Sequence, residues 1–218
     1  MAEQTFEIEK INQLKSFFNK HWLPSLLLLL IVLGSLGGYK IWSYYTTTSL
    51  ESASVIYQQI LEQEQNIDES ADTTDSAKTI IKLAQRIVND YPSTGYAALA
   101  QLIIAKHALT IQKTRLAIDA LKWVRQHNSV QEIYTMASIR LAKVLWLDNK
   151  HDEALAVLYD SFPSSFAAQV AELQGDIYTS QQDFVKARLA YKAAITASGK
   201  SQYLQRKLDD LAVSLDKQ

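Results

Sequence analysis

The sequence predicts an all-α protein: a single N-terminal transmembrane helix followed by a solenoid of antiparallel helix pairs. Three observations carry this. No Lys, Arg, Asp or Glu stands between Lys20 and Lys40, and Leu26 to Leu33 is apolar throughout. From Thr79 onward, apolar residues recur at three- and four-residue spacing between short polar breaks, without sustained strand alternation. Small residues also return at long intervals: Ala117, Ala154 and Ala187 lie 37 and then 33 residues apart.

A helix over 23–45 would be about 34 Å long at ~1.5 Å per residue, enough to cross a hydrocarbon core of ~30 Å. Trp22 at one end and Trp42, Tyr44 and Tyr45 at the other suit the headgroup level, where Lys20 and Lys40 can snorkel outward. Lys10, Lys15 and Lys20 precede the stretch, whereas no Lys or Arg lies between Ile41 and Ala77, so the N-terminus is expected in the cytoplasm. A cleaved signal peptide is the rival reading. It is disfavoured by the acidic leader (Glu3, Glu7, Glu9) and by the lack of an A-x-A site after the apolar core. The expected division is a cytoplasmic tail over 1–22, a membrane helix over 23–45 and an exported domain over 46–218.

Within the tail, Phe6, Ile8, Ile11, Leu14, Phe17 and Phe18 keep helical spacing. They predict an amphipathic helix lying on membrane lipid or on a neighbour, or a short helical run-in to the span. Inside the span, Gly34 and Gly38 form a G-x-x-x-G pair on one helix face, a candidate contact for another membrane helix. Beyond it, Leu50, Ala53, Ile56, Tyr57, Ile60 and Leu61 continue the helical stripe. Glu62 to Asp75, with six acidic residues and no basic one, then reads as a solvated loop.

Breaks are predicted at Asp90 to Ser93, Gln126 to Ser129, Asp148 to Asp152, Phe162 to Ser164, Ser180 to Asp183 and Ser198-Gly199, with Ser93 as an N-cap. Gly175, Tyr178, Ala187, Tyr191 and Ala194 stand at the offsets of the tetratricopeptide pattern. Ala142, Leu145, Ala154 and Leu158 repeat those offsets, as do Ala105, Ala108, Ala117 and Leu121. Ala77 to Tyr91 supplies the second helix of an earlier, broken repeat, and Gln202 to Leu215 the closing helix that a terminal repeat needs. A plain helical bundle is the alternative, since the consensus Gly and Trp positions are mostly unfilled.

This layout resembles the YfgM family, the ancillary subunit of the bacterial Sec translocon. The resemblance rests on FEIEKINQLKSFFNKHW before the span, GYKIWSYY at its exit, SLESASVIYQQIL after it, and STGYAALAQLIIAKHAL, IRLAKVL and ELQGDIYTSQQDFVKARLAYKAAI in the repeats. It covers nearly the whole chain and implies a tetratricopeptide-like periplasmic α-solenoid without catalytic residues to transfer. It also implies partners: Sec translocon subunits, exported polypeptides, and a membrane-anchored periplasmic chaperone of prolyl-isomerase type. The acidic run at Glu62 to Asp75 departs from the family's pattern.

Chemistry is sparse. With 22 Lys and Arg against 23 Asp and Glu, no basic surplus points to nucleic acid. The absence of Cys removes disulfides and thiolate chemistry. His21, His107, His127 and His151 are isolated, so each reads as a surface or boundary residue and not as a metal ligand. Asp68-Glu69, Asp152-Glu153 and Asp209-Asp210 are sequence neighbours, which point about 100° apart on a helix and do not converge on one substrate. No catalytic, cofactor or metal site is expected, and the chain reads as a non-enzyme. Two functions fit: an interaction scaffold at the translocon, or a structural or regulatory envelope protein acting by self-association or by binding a signalling partner.

In such arrays the first helix of each repeat lines the concave face. The register places Lys106 and Leu109 there in the first unit, Ile139, Lys143 and Trp146 in the second, and Gln169, Glu172, Asp176 and Thr179 in the third. The mixture of charge, amide and one large aromatic suits an extended peptide. The competing expectation is that the protein's own helix at Ser49 to Leu61, or its C-terminal helix, fills the groove.

The charge asymmetry yields a topological prediction. A reporter active only outside the cytoplasm works when fused after Gln218 and fails when fused before Trp22; the reverse pattern would invert the orientation.

Overall fold

The protein's structure, a computed structural model, describes residues 2–66, 73–128, 130–199 and 201–215. It divides into two units, residues 1–49 and residues 50–218.

The first unit is the leading part of helix α1 (Ala2–Gln65). Trp22, Leu26, Leu27, Leu30, Ile31, Val32 and Leu33 are all exposed on it. The hydroxyl of Ser35 donates to the Val32 carbonyl at 2.9 Å, which satisfies it without water. A Cβ placed on Gly34 or Gly38 would meet no described atom within 4 Å, so that face carries no partner from this chain among the described residues. Among the described residues no helix is long and apolar enough to cross a membrane. The stretch read as a span over 23–45 includes positions whose side chains lie outside the described ones, as do those of the tail's Phe6, Ile8, Ile11, Leu14, Phe17 and Phe18.

The second unit is an all-α array. The end of α1 and α2 (Thr73–Asp90) precede three helix pairs: α3 (Gly95–Thr110) with α4 (Thr114–His127), α5 (Gln131–Leu147) with α6 (His151–Leu158), and α7 (Ala167–Ser180) with α8 (Phe184–Ser198). A short 3-10 turn at Ser164–Phe166 links the last two pairs, and α9 (Gln202–Leu215) closes the array over the range expected from sequence. On α1, Ala53, Ile56 and Ile60 are buried, so the stripe over 50–61 packs within the second unit while Leu50 and Leu61 stay exposed.

Each pair is closed by the small residues that the register picks out. Ala117, Ala154 and Ala187 are each 0% exposed. On the first helices Ala105, Ala142 and Gly175 occupy one repeat position, and on the second helices Leu121, Leu158 and Tyr191 occupy another, four residues after the small ones. The volumes trade: where the second helix carries Leu the first carries Ala, and where it carries Tyr the first carries Gly. A Cβ on Gly175 would stand 2.5 Å from Cδ1 and Cε1 of Tyr191, far inside contact distance. Interiors pack too densely to absorb such an overlap freely.

The turns inside the pairs are the same structure three times. Gln112, Asn149 and Gln182 take positive φ of 57°, 58° and 60°, five residues before Ala117, Ala154 and Ala187. In each turn the next N–H bonds back five residues: Lys113 to Ala108 at 2.7 Å, Lys150 to Leu145 at 2.9 Å and Asp183 to Tyr178 at 2.9 Å. The positive-φ residue itself bonds back three residues at 3.0 Å, to Leu109, Trp146 and Thr179 respectively. This is the Schellman end of a helix, here without the glycine that usually occupies its left-handed position. The turn at 111–113 lies outside the breaks expected from sequence, because Ile111-Gln112-Lys113 carries neither Gly nor Pro.

Two expectations need correction. The N-cap of α3 is Thr94, one residue after Ser93, because the Thr94 N–H and hydroxyl both turn back to the Tyr91 carbonyl, at 3.1 and 2.9 Å. The acidic run is not wholly solvated. Its residues 67–72 lie outside the described residues, but Glu64 belongs to the last turn of α1 and is 20% exposed at its side chain.

The Gly175 contact is directly testable. Tyr191 is buried and its hydroxyl is held by Asp176 at 2.8 Å, so the ring has nowhere to move. Gly175→Ala is expected to cost about 1–2 kcal/mol net, the overpacking exceeding the ~1 kcal/mol by which Ala improves on Gly within a helix. Gly95→Ala, which meets no described atom within 4 Å, leaves the melting temperature unchanged or raises it. Equal melting temperatures for Gly175→Ala and the wild type would refute the packing.

Candidate functional site

Lys106, Lys143 and Asp176 occupy one repeat position, on the first helix of successive pairs. The structure treats the three differently.

In the first pair, Lys106 donates to Glu64 Oε1 at 2.9 Å, and the same oxygen lies 2.6 Å from Nε2 of His107. His107 is only 4% exposed, contrary to its expected boundary position, and the Glu64 carboxylate is what satisfies its ring there. Burial pushes the Glu64 carboxyl up, but the hydrogen bonds from His107 and Lys106 outweigh it and hold the group below the usual carboxylate range.

In the third pair, Lys207 of α9 donates to both carboxylate oxygens of Asp176 at 2.7 and 2.8 Å and to Glu172 Oε1 at 2.8 Å. Tyr191 also donates to Asp176 Oδ1, at 2.8 Å. Thr179 bonds the Gly175 carbonyl at 2.8 Å and lies 3.2 Å from the Tyr191 hydroxyl. Burial pushes the Tyr191 phenol up to about 12, with the Asp176 carboxylate adding to the shift. Burial alone would lower Lys207, but the hydrogen bonds to Asp176 and Glu172 prevail and raise it. Glu172 and Asp176 are thus engaged by the C-terminal helix, one of the two elements named in the competing expectation, whereas Thr179 is engaged within its own pair and Gln169 stays exposed.

In the second pair, Lys143 is exposed and makes no ion pair among the described residues. It borders a cavity of about 250 Å³ between α3 and α5. Leu102, Ala105, Leu121 and Val144 form its apolar floor; Lys106 and Leu109 stand on the α3 side and Arg140, Lys143 and Leu147 on the α5 side. Arg140 also lacks an ion pair among the described residues. Trp146 is half-buried and donates from Nε1 to the Ser180 hydroxyl at 2.9 Å, which ties α5 to α7. Ile139 is buried at 6% exposure and belongs to the core, so its side chain is not on an open face.

The structure therefore brings Lys106, Leu109 and Lys143 together. Sequence reasoning missed Arg140 and Leu147, although they stand three residues before and four after Lys143, the spacing at which side chains share a helix face. Among the described residues no group of three His, Asp or Glu could hold a metal ion.

A model of a tetratricopeptide repeat-like domain matches residues 15–213. An ancillary SecYEG translocon subunit of Neisseria gonorrhoeae is 30% identical over 217 residues, covering 97% of this chain and 100% of the relative. The ancillary SecYEG translocon subunit of Haemophilus influenzae is 25% identical, covering 97% and 100%, and that of Escherichia coli is 24% identical, covering 95% and 97%. Among solved structures, a MamA double mutant superposes with a TM-score of 0.59 at 15% identity, over 75% of this chain and 85% of that one, a likeness of fold alone.

The α9 contact has a pH signature. Lys207 and Tyr191 both have folded-state pKa values above their ordinary ones, so their stabilisation is complete below about pH 10 and is lost as pH rises through the folded values. Lys207→Met is expected to destabilise by on the order of 1–2 kcal/mol at neutral pH, less than for a fully buried pair because the side chain is 22% exposed. The gap in melting temperature between wild type and Lys207→Met narrows above pH 10. A gap independent of pH would mean that the ammonium is not held by these carboxylates.

Proposed function

Because this chain belongs to the ancillary SecYEG translocon subunit family, we propose that it is a membrane-anchored, non-catalytic scaffold that associates with the SecYEG translocon and presents a repeat domain to exported polypeptides. One observation carries the reading: the similarity runs almost end to end and includes the apolar stretch before the repeats, since the matching domain model begins at residue 15. Exposed Leu27, Leu30, Ile31 and Leu33 on α1 support a lipid-facing helix there, with the N-terminus in the cytoplasm and residues 46–218 in the periplasm of a bacterial inner membrane. Gly34 and Gly38, open to close approach, are the proposed contact with a translocon helix. The repeat domain serves as the platform on which emerging chains meet periplasmic chaperones, among them a membrane-anchored partner of prolyl-isomerase type. A tetratricopeptide-like array suits this work because its groove binds extended segments without remodelling them.

The test is co-purification of the tagged full-length protein in mild detergent, with bound subunits identified by mass. Translocon subunits are expected with the wild type and are reduced when Gly34 and Gly38 are both replaced by Leu. Recovery of the protein only with further copies of itself would overturn the scaffold reading in favour of self-association. Retention by the double Leu variant, with loss on deletion of 50–218, would move the contact from the span to the repeats.

A further inference from the structure

We propose that the cavity between α3 and α5 docks an acidic-apolar peptide segment of a partner protein, with an apolar side chain on the floor of Leu102, Ala105 and Val144 and a carboxylate on Arg140 and Lys143. The inference deepens the scaffold reading and rests on it.

The charges of the array argue for this occupant. At one repeat position stand Lys106, Lys143 and Asp176, and the chain supplies an opposite charge to the two outer members. Glu64 reaches Lys106 from α1, and Lys207 reaches Asp176 from α9. Lys143 receives nothing, and neither does Arg140 one turn before it, among the described residues. The cation in the first pair is already met by a carboxylate, so the chemistry that completes the row is a second carboxylate arriving from outside.

Size and polarity narrow the occupant further. About 250 Å³ holds one or two large apolar side chains, too little for a folded element. Leu109 and Leu147 stand 40% and 69% exposed at the rim, leaving apolar surface that a bound segment would cover. Two cations three residues apart on α5 favour acidic groups flanking an apolar residue. A basic or purely apolar segment would leave Arg140 and Lys143 desolvated without partners and would be rejected.

The probe is a fluorescent peptide of about ten residues carrying leucine and phenylalanine among glutamates, beside a twin with lysine in place of every glutamate. Binding to the full-length protein in neutral detergent micelles is read by anisotropy. The acidic peptide is expected to bind at least tenfold tighter than its twin, and more weakly as salt is raised. Arg140→Glu with Lys143→Glu should weaken it tenfold or more while the melting temperature holds, since both side chains are exposed. Equal binding of the two peptides, or no effect of the double reversal, would overturn the assignment. So would phosphatidylglycerol binding through Arg140 and Lys143 in place of the peptide. If the protein co-purifies with translocon subunits but ignores the acidic peptide, this inference fails and the scaffold reading stands. If the peptide binds and no translocon subunit co-purifies, the scaffold reading fails instead.

Discussion

The array in residues 50–218 depends on close approach between the two helices of each pair, and close approach depends on what is missing from their side chains. Ala117, Ala154 and Ala187 admit the neighbouring backbone because they carry only a methyl group, and all three are sealed from solvent. The facing position then has to match whatever the second helix brings. Leu121 and Leu158 stand in register with Ala105 and Ala142, whereas the larger Tyr191 packs against Gly175. Summed volume is kept while individual residues drift, and this is how a degenerate repeat holds one geometry. The left-handed turns at Gln112, Asn149 and Gln182 deliver each second helix at the same point of the register. They do so with residues for which that backbone conformation costs about 1 kcal/mol or more, a strain tolerated because the packed Ala positions five residues later fix the helix direction.

Tyr191 links this packing to the chain's end. It needs Gly175 for space, and its buried hydroxyl needs an acceptor, which Asp176 provides. Asp176 is only 20% exposed and so needs a cation of its own; α9 brings Lys207. The closing helix is thus docked by apolar contact through Leu204 and Leu211 and aligned by an ion pair whose far end is a packing requirement of the last repeat. At the other end, Glu64 plays the matching part for buried His107, and Lys106 joins that pair from the surface.

Which of these features can be read from sequence follows from their range. The repeat register was legible because small residues at helix contacts leave a period, and the breaks at Pro92, Pro163 and Gly199 were legible because Pro and Gly among polar residues favour turns over helix. The turn at Gln112 was not, since its conformation is imposed by the helices on either side and not by its own residues. The same division holds at the site. Lys106, Leu109 and Lys143 fall out of the register, but Ile139 packs inward. The partners Glu64 and Lys207 lie 42 and 31 residues from the charges they meet, a pairing that only the fold creates. His107 was misplaced for the same reason: nothing near it in sequence announces the carboxylate that lets it be buried.

The open charges in the middle of the array follow from the same balance of burial and pairing. Asp176, Glu172 and Lys207 each retain less than a third of their exposure, and unpaired they would impose a desolvation cost on folding. Lys143 and Arg140 are exposed, so water solvates them and folding asks for no partner. That freedom ends when a ligand covers them. A segment entering the cavity removes the water, and the interaction is then favourable only if the segment replaces it with carboxylate oxygens. A charge that costs the folded chain nothing becomes a filter on what can bind: the apolar floor attracts many sequences, and the uncompensated cations at its edge select among them.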